Sequence, residues 1–298
     1  MSLDHDEVAS RTTIGIPLYR SAEFVERISD NIASFIDHGY EIIVSDRHGY
    51  DDTLELLNHR YSGSDGVRFV DEQDELSWIE HYNALFHLSS REYVCIVPHD
   101  DEFMEPAVRA LARALDKNPD AVLAFGGSCP ISKSGVELPW HTTRFLQDTY
   151  PTNADRALGF FADFSGRGVP FHGLFRKQLL KEHEIRLRKV KDHVFSDLGF
   201  VFECLLVGSA VEVEDLMIRK HGHETNISAA WGTTTASQIF SLWVLMSRTL
   251  RRSSEFSGAG LRHQLVLLWH TVRSFLRFSP TGRWVSAPYR FLKRSFRH

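Results

Sequence analysis

The sequence has few cysteines and lacks several motifs that mark common cofactor sites. Cys95, Cys129 and Cys204 lie far apart with no CxxC pair, which indicates free thiols in a reducing compartment rather than a disulfide framework. No GxGxxG follows the first apolar run and no Walker motif occurs, so a dinucleotide dehydrogenase or a P-loop enzyme is disfavoured. No HExxH or Cys/His zinc spacing occurs either.

Long hydrophobic runs are also missing. The apolar stretches fall far short of the ~18 residues that a transmembrane helix requires. The first twelve residues, MSLDHDEVASRT, are polar and acidic, so we expect no secretory signal and a disordered segment over 1–12. The 298 residues, 43% of them hydrophobic and 24% charged, predict a globular protein with a sizeable core.

The net charge of −5 hides an uneven distribution. From Arg248 onward the chain has eleven Arg or Lys and a single acid, Glu255. The rest of the chain has 23 basic and 38 acidic residues. This asymmetry indicates an acidic body with one role and a basic C-terminal tail with another.

Short apolar runs alternate with amphipathic segments along the first part of the chain. The runs predict buried strands at 13–18 (interrupted by Pro17), 40–45, 67–70, 93–97 and 121–125, and the segments between the first four predict helices. This alternation is typical of a mostly parallel sheet with helices on both faces. Ligands of such sheets bind at the carboxyl ends of the strands.

Carboxylates cluster at two of these strand ends. The stretch YVCIVPHDDEFMEP places Asp100, Asp101 and Glu102 directly after a buried strand, and Asp46 follows another in the loop DRHGYDDT. Adjacent carboxylates favour magnesium, manganese or calcium, and a diphosphate could complete the coordination shell. The alternative is an acidic loop that is merely solvated and caps the following helix. The strand-end position favours the metal site.

The order of these segments resembles a known family. IPLYR, a strand ending in SDRHGYDDT, a helix containing YNALF, and then YVCIVPHDDEFMEP are similar to the family-two inverting glycosyltransferases of the GT-A fold. The resemblance covers about residues 13–228. It implies a Rossmann-like, mostly parallel central sheet flanked by helices, and transfer of a sugar from a nucleotide-sugar donor. One residue departs from the family pattern: His99 stands where the usual DxD motif begins with Asp.

The resemblance also implies roles for individual residues. Pro17 and Tyr19 would line the nucleotide pocket, and Asp46 would accept a hydrogen bond from the base, for which uridine is favoured. Asp101 would be the main ligand of Mn²⁺ or Mg²⁺, and Asp100 would lie beside it, near the ribose and diphosphate.

The second half should supply the acceptor site and the catalytic base. Residues 126–170 show few periodic signals and include Trp140 and His141, so we interpret them as an acceptor-binding region. Asp197 lies before an apolar helix at the position of the family's general base; the alternative is a simple helix N-cap. His221 is a candidate for contact with metal or phosphate, and His223 is a weaker one.

The basic tail, from residue 236 on, is predicted to be helical and amphipathic. Its apolar stripes with flanking arginines, and the aromatic and basic segment 283–298, are typical of helices that lie in the interface of an anionic membrane. The alternative is a helical cap packed on the catalytic domain. Nucleic acid is not expected as a partner, because the body is acidic and contains no recognised nucleic-acid module.

Together these features predict a disordered segment at 1–12, a nucleotide-sugar-binding half at 13–125, an acceptor and base half at 126–230, and a helical, basic extension at 231–298. We hypothesise a cytoplasmic, metal-dependent inverting glycosyltransferase, peripheral on the inner face of the membrane, that extends a glycan or a lipid-linked acceptor in cell-surface polysaccharide synthesis. The alternatives are an inactive nucleotide-sugar-binding scaffold, with His99 as the lesion, and a nucleotidyltransferase.

Overall fold

A computed structural model of the chain describes residues 5–278, apart from residue 73 and residues 140–142, 144, 148–149, 164–168 and 223–233. The strands are β1 (Thr12–Leu18), β2 (Glu41–Arg47), β3 (Val67–Glu72), β4 (Tyr93–Ile96), β5 (Glu102–Phe103), β6 (Ala121–Ile131), β7 (Leu174–Arg176) and β8 (Ser209–His221). The helices are α1 (His5–Ser10), α2 (Val25–Ile36), α3 (Thr53–Arg60), α4 (Trp78–Leu88), α5 (Glu105–Lys117), α6 (Asn153–Ala162), α7 (Lys177–Glu182), α8 (Ser196–Val207), α9 (Ala236–Arg252), α10 (Ser254–Ser257) and α11 (Leu261–Phe278).

The eight strands form one sheet in the order β3-β2-β1-β4-β7-β6-β8-β5. Strand β1 is parallel to both β2 and β4, and β2 is parallel to β3. Strand β7 is antiparallel to β4 and β6, β5 is antiparallel to β8, and β6 and β8 are parallel. The predicted α/β class with a mostly parallel sheet is confirmed. The carboxyl ends of β1, β2 and β4 meet at one edge, so the loops after them converge there.

A hydrophobic core lies on each face of this sheet. Helices α1, α2, α3 and α5 contribute buried residues to one core. Helices α4, α6, α8 and α9 contribute to the other, together with Leu267 of α11. Helix α8 is buried along most of its length, which explains why its sequence is apolar with only a weak helical period.

The predicted interruption at Pro17 is not observed, because this proline lies inside β1. The Gly15 carbonyl accepts the Val97 N–H at 2.8 Å, so the Gly15 backbone faces the β4 side of β1. Because the backbone orientation of a strand repeats every two residues, the Pro17 backbone faces the β4 side as well. The pairing of β1 with β4 stops at Gly15 and Ile96. The missing N–H of Pro17 therefore costs no hydrogen bond of the sheet.

Both ends of the described chain are helical. Within residues 1–12, which were expected to be disordered, His5–Ser10 forms α1, and Val8 and Ala9 are buried in the core beside α5. Within the segment 231–298, which was expected to be a helical extension or a helical cap, α9 shares its core with α8 through Leu242, Met246 and Leu250. Residues 283–298 lie outside the described part of the chain.

Candidate active site

The acidic loop between β4 and β5 is fastened by two side chains of α2. Arg27 Nη1 donates to the Asp100 carbonyl at 2.7 Å, and Asn31 Nδ2 donates to the Asp101 carbonyl at 2.9 Å. Since Arg27 and Asn31 are four residues apart, they share one face of the helix. The Asp101 carboxylate accepts the backbone N–H of His221 at 3.1 Å. The loop is therefore held from both sides, by α2 and by the end of β8.

The Asp101 side chain is buried, and its ionised form is costly. Burial raises the pKa of Asp101 to about 7; the Lys220 cation lowers this pKa, and the neighbouring Asp100 carboxylate raises it. A buried carboxylate next to a second one gains from added positive charge, which a bound cation would supply.

Asp197 lies in the first turn of α8 and is not its N-cap. That position belongs to Phe195, whose backbone is left-handed (φ 66°) and whose side chain makes no capping hydrogen bond. Burial raises the pKa of Asp197, while the Leu198 backbone N–H and the Lys220 cation partly offset this rise. The Oδ1 atom of Asp197 is buried and has no hydrogen-bond partner among the described residues. An unpaired carboxylate oxygen with a raised pKa is well suited to accept a proton.

Asp101 and Asp197 share two neighbours, Lys220 and Tyr82. The Lys220 cation lowers the pKa of both carboxyls. The Tyr82 hydroxyl responds to both as well: burial, and then the charges of Asp100, Asp101 and Asp197, raise its pKa. Such effects need short distances, so Lys220 and Tyr82 lie near both carboxyls.

A histidine binds the side chain of Lys220. Lys220 Nζ donates to His172 Nε2 at 2.9 Å, and since an ammonium can only donate, Nε2 must be the unprotonated ring nitrogen. Burial, followed by the Lys220 charge, lowers the pKa of His172 well below its usual value. His172 is therefore neutral, and it positions the ammonium of Lys220 near the acidic groups.

The predicted nucleotide-binding residues lie together at the ends of β1 and β2. Leu18 pairs with Asp46 across the two strands, which places Tyr19 beside that carboxylate. Asp46 is buried, and burial together with the charges of Asp51 and Asp71 raises its pKa to about 6. Backbone N–H groups of the following loop oppose this rise.

Aromatic rings and a cation lie at the ends of β1 and β2, where Asp46 is found. Tyr19 meets Tyr50 edge to face at 5.1 Å, and Arg47 lies over the Tyr19 ring with its guanidinium carbon 3.8 Å from the centroid. The Tyr50 hydroxyl donates to Glu75. Flat rings beside a buried hydrogen-bond acceptor form a surface on which a nucleobase can stack.

His99, the departure from the family motif, points toward β1. The Tyr19 N–H donates to His99 Nδ1 at 3.3 Å, and Ser21 Oγ lies 2.6 Å from the same nitrogen. The His99 ring stacks on Phe24 at 5.1 Å. His99 thus positions the loop that carries Tyr19, and its Nδ1 is engaged there.

The residues of the acidic loop fit a divalent cation only together with a diphosphate. Among the described residues, no three His, Cys, Asp or Glu side chains are grouped as metal ligands. The ring of His221 faces Glu102, with Nε2 3.8 Å from Glu102 Oε2, while its backbone bonds Asp101. One or two carboxylates plus phosphate oxygens and waters are the usual donor set for Mg²⁺ in phosphate-transfer sites.

Other predicted residues are dispersed or lie outside the described part. Trp140, His141 and His223 belong to the residues that the structure does not describe. Asn83 of α4 bonds the backbone of Leu187: its Nδ2 donates to the carbonyl at 3.0 Å and its Oδ1 accepts the N–H at 2.9 Å.

Sequence reasoning gave no role to Asn31, Tyr82, His172 or Lys220. Tyr82 begins the YNALF segment but is not singled out there, and the four residues meet only in the folded chain. The one available signal was the cationic segment Arg219–His221 near the end of the body, which indicates a phosphate neighbour but does not single out Lys220.

The chain belongs to glycosyl transferase family 2, whose family model matches residues 13–183, more than half of the sequence. It is therefore a glycosyltransferase of the GT-A fold, and inversion is typical of this family. Among curated protein sequences, none matches this chain.

Solved structures show the same fold at low sequence identity. The structure titled S. aureus TarS 1-349 in complex with UDP-GlcNAc is 15% identical, has a TM-score of 0.66, and is matched over 91% of this chain and 74% of that one. The mannosyltransferase PcManGT from Pyrobaculum calidifontis, in complex with GDP-Man and Mn²⁺, is 14% identical with a TM-score of 0.51. That match covers 95% of this chain and 80% of the mannosyltransferase.

Proposed function

We propose that this chain transfers a sugar from a nucleotide-sugar donor, with uridine favoured as the base, to a hydroxyl of a glycan or lipid-linked acceptor. The observation that carries the proposal is the position of Lys220 near both Asp101 and Asp197: its ammonium donates to His172 Nε2 at 2.9 Å, and the next residue of the same strand, His221, bonds Asp101 through its N–H at 3.1 Å. Inverting transfer needs a proton acceptor on one side of the anomeric carbon and positive charge on the other. Donor complexes of the structural relatives, with UDP-GlcNAc and GDP-Man, support this donor class.

Asp197 is the proposed general base. Its unpaired Oδ1 takes the proton of the acceptor hydroxyl as the oxygen attacks the anomeric carbon and the bond to the diphosphate breaks. Its raised pKa strengthens it as a base without requiring a partner residue.

Lys220 and the acidic loop act on the leaving side. The ammonium donates to diphosphate oxygens as their charge increases, and His172 keeps it in place. A divalent cation would be held by Asp100 and Asp101 and would supply further positive charge on the leaving side. At the other end of the donor, Asp46 accepts a hydrogen bond from the base, between Pro17 and Tyr19.

The same proposal includes location. We place the enzyme on the inner face of the cell membrane, where lipid-linked acceptors of cell-surface polysaccharides are exposed to the cytoplasm. The basic C-terminal region supports this placement through its attraction to anionic lipid. None of the described helices is long and apolar enough to cross a bilayer.

The test is release of nucleoside diphosphate from UDP-GlcNAc and GDP-Man, with manganese and a panel of alkyl glycosides as acceptors. Asp197→Asn should lower kcat by about 10²- to 10⁴-fold, the usual contribution of a general base, and leave donor binding intact. Lys220→Met should also lower kcat, with partial recovery in Lys220→Arg, while the exposed carboxylate variant Asp74→Asn serves as the control.

The outcomes separate the alternatives. Donor binding without turnover by the wild-type chain, with any acceptor, would favour an inactive scaffold. Release of pyrophosphate would favour a nucleotidyltransferase. Full activity of Asp197→Asn would remove this residue from the proposed mechanism.

A further inference from the structure

Helix α11 exposes its apolar side and buries a polar one. Five large apolar residues form one stripe along the exposed side: Leu261, Leu265, Leu268, Trp269 and Val272. Leu261 is 77% exposed and Trp269 is 65% exposed, which are high values for residues of this size. The opposite side is buried and mostly polar: His263, Leu267, Thr271 and Ser274. This is the reverse of a helix that packs on a soluble core.

Polar contacts fix this orientation. Gln264 Nε2 donates to the Ser247 carbonyl of α9 at 3.2 Å, and Ser247 Oγ donates back to Gln264 Oε1 at 2.7 Å. On the side of α6, Asp155 Oδ1 lies 3.4 Å from His263 Nε2. Rolling α11 to bury its apolar stripe would break these contacts, so the stripe is a stable feature of the surface.

Arginines line one flank of the stripe. Arg262, Arg273 and Arg277 are exposed, and at 100° per residue they lie on the same side of it. The twenty residues after Phe278 add five Arg or Lys and no acid. An exposed apolar stripe with a cationic flank matches the interface of an anionic bilayer, where apolar side chains enter the acyl region and cations meet lipid phosphates.

We infer that the α11 stripe (Leu261, Leu265, Leu268, Trp269 and Val272) is the face with which the protein docks on an anionic membrane surface. This deepens the peripheral location proposed above and rests on it. This docking determines which side of the molecule lies against lipid. Helix α11 lies parallel to the membrane surface, since none of the described helices can span the bilayer.

Two other occupants are less compatible with the charges. An antiparallel two-fold pair of α11 stripes would set the arginine rows of the two copies side by side, and like charges repel. Residues 279–298 carry five cations of their own, so folding them over the stripe would add positive charge beside Arg273 and Arg277.

Vesicle flotation with the full chain tests the inference. The probes are phosphatidylcholine vesicles and vesicles in which about one-third of the lipid is phosphatidylglycerol. We expect binding to the anionic vesicles and at least about tenfold weaker binding to the neutral ones. The double variant Leu265→Ser, Trp269→Ser should lose at least about tenfold in anionic-vesicle binding.

The matched control is Leu56→Ser, which removes a similarly exposed leucine (56%) from α3 and should bind vesicles like the wild type. Circular dichroism melts of all variants establish that they fold. Arg273→Gln with Arg277→Gln should weaken anionic-vesicle binding about fivefold per arginine and leave neutral-vesicle binding unchanged.

Three results would overturn the inference. The first is equal flotation of the wild type and the stripe variant, Leu265→Ser, Trp269→Ser. A concentration-dependent dimer that the stripe variant abolishes would assign the face to a second copy. Loss of binding only when residues 279–298 are removed would assign it to that segment. Nucleoside diphosphate release in vesicle-free buffer, measured in parallel, reports the proposed catalytic function independently of docking.

Discussion

At the scale of single residues, His99 makes structural contacts at the position where the usual DxD motif has a carboxylate. A carboxylate at this position would carry negative charge, whereas the imidazole accepts the Tyr19 N–H through Nδ1. With Phe24 stacked on its ring, His99 links the acidic loop to the loop that carries Tyr19. The imidazole therefore links two loops of the proposed donor pocket, which argues against His99 as an inactivating lesion.

The stability cost of a buried charge in the proposed donor pocket can be measured at Asp46. Its folded-state pKa of about 6 lies above the ordinary value of 3.8, so the folded state binds the proton more tightly than the unfolded state. Its ionisation therefore costs stability as pH rises from about 4 to above 6. We expect Asp46→Asn to be more stable than wild type at pH 8 by roughly 1–3 kcal/mol, a gain that shrinks below pH 6 and vanishes near pH 4.

Urea unfolding at several pH values measures the difference in unfolding free energy between Asp46→Asn and wild type. The control is Asp116→Asn, for which we expect a change in stability of the opposite sign. Burial opposes ionisation of Asp116, but hydrogen bonds from Arg11 and Tyr93 outweigh it and lower its pKa. Asp116→Asn should therefore lose stability at pH 8 and approach wild type at acidic pH. Equal effects of Asp46→Asn at pH 8 and pH 4 would contradict the argument.

The acidic residues of the site could be predicted from sequence, and the residues around them could not. Asp46 lies at the end of β2, and Asp100 and Asp101 follow β4, so the strand pattern alone places them at one edge of the sheet. Lys220 comes close to Asp101 from a strand far along the chain, and its proposed role depends on pairing with His172. Such a contact has no local signal.

At the scale of elements, strands with apolar runs were predicted and charged ones were not. Strands β1, β2 and β4 are short, mostly apolar and buried, as their sequences predict. Strand β3 was predicted from Val67, Phe69 and Val70, although its residues are half-buried or exposed. Strand β8 contains Glu212, Glu214 and Asp215, so its sequence resembles a loop. Helix α6 falls in the predicted acceptor-binding region, although Thr152 caps it by accepting the Asp155 N–H, a recognisable start signal.

The link between α2 and the acidic loop leads to a second prediction. Asn31 is buried, donates to the Asp101 carbonyl at 2.9 Å and accepts the Phe103 N–H at 3.0 Å. Asn31→Ala leaves both backbone groups without this partner, so we expect a loss of about 2–4 kcal/mol in unfolding free energy. We also expect weaker donor binding, because the loop that carries Asp101 loses its anchor.

Chemical denaturation and isothermal titration with UDP measure the two effects. The control is Asn118→Ala, whose amide donates to the Ala114 carbonyl on the surface and should matter by less than about 0.5 kcal/mol. If Asn31→Ala were as stable as this control, the amide would not be the anchor of the loop.

At the scale of the whole molecule, the basic C-terminal part is structurally divided. Helix α9 belongs to the catalytic core: its residue Leu245 lies so close to Gly199 of α8 that a Cβ there would meet it at 2.8 Å. Helix α11 lies outside α9 and presents its apolar stripe outward. The charge asymmetry along the sequence therefore does not mark a boundary between two independent domains.

This division predicts opposite outcomes for two truncations. A chain ending at residue 233 loses α9, and with it the burial of Leu242, Met246 and Leu250 against the core of α8. At about 1.5–3 kcal/mol for each buried side chain, the loss is comparable to the ~5–15 kcal/mol that stabilises a typical protein. We expect that chain to unfold non-cooperatively or to aggregate, with no release of nucleoside diphosphate.

A chain ending at residue 278 keeps every described element and should melt cooperatively, with activity on soluble acceptors. Differential scanning calorimetry and the diphosphate assay compare the two. A cooperative, active chain ending at residue 233 would show that α9 is dispensable and that the helical region is an appendage. Because α9 packs directly on the helix that carries Asp197, we expect instead that removing it disrupts the proposed base as well as the fold.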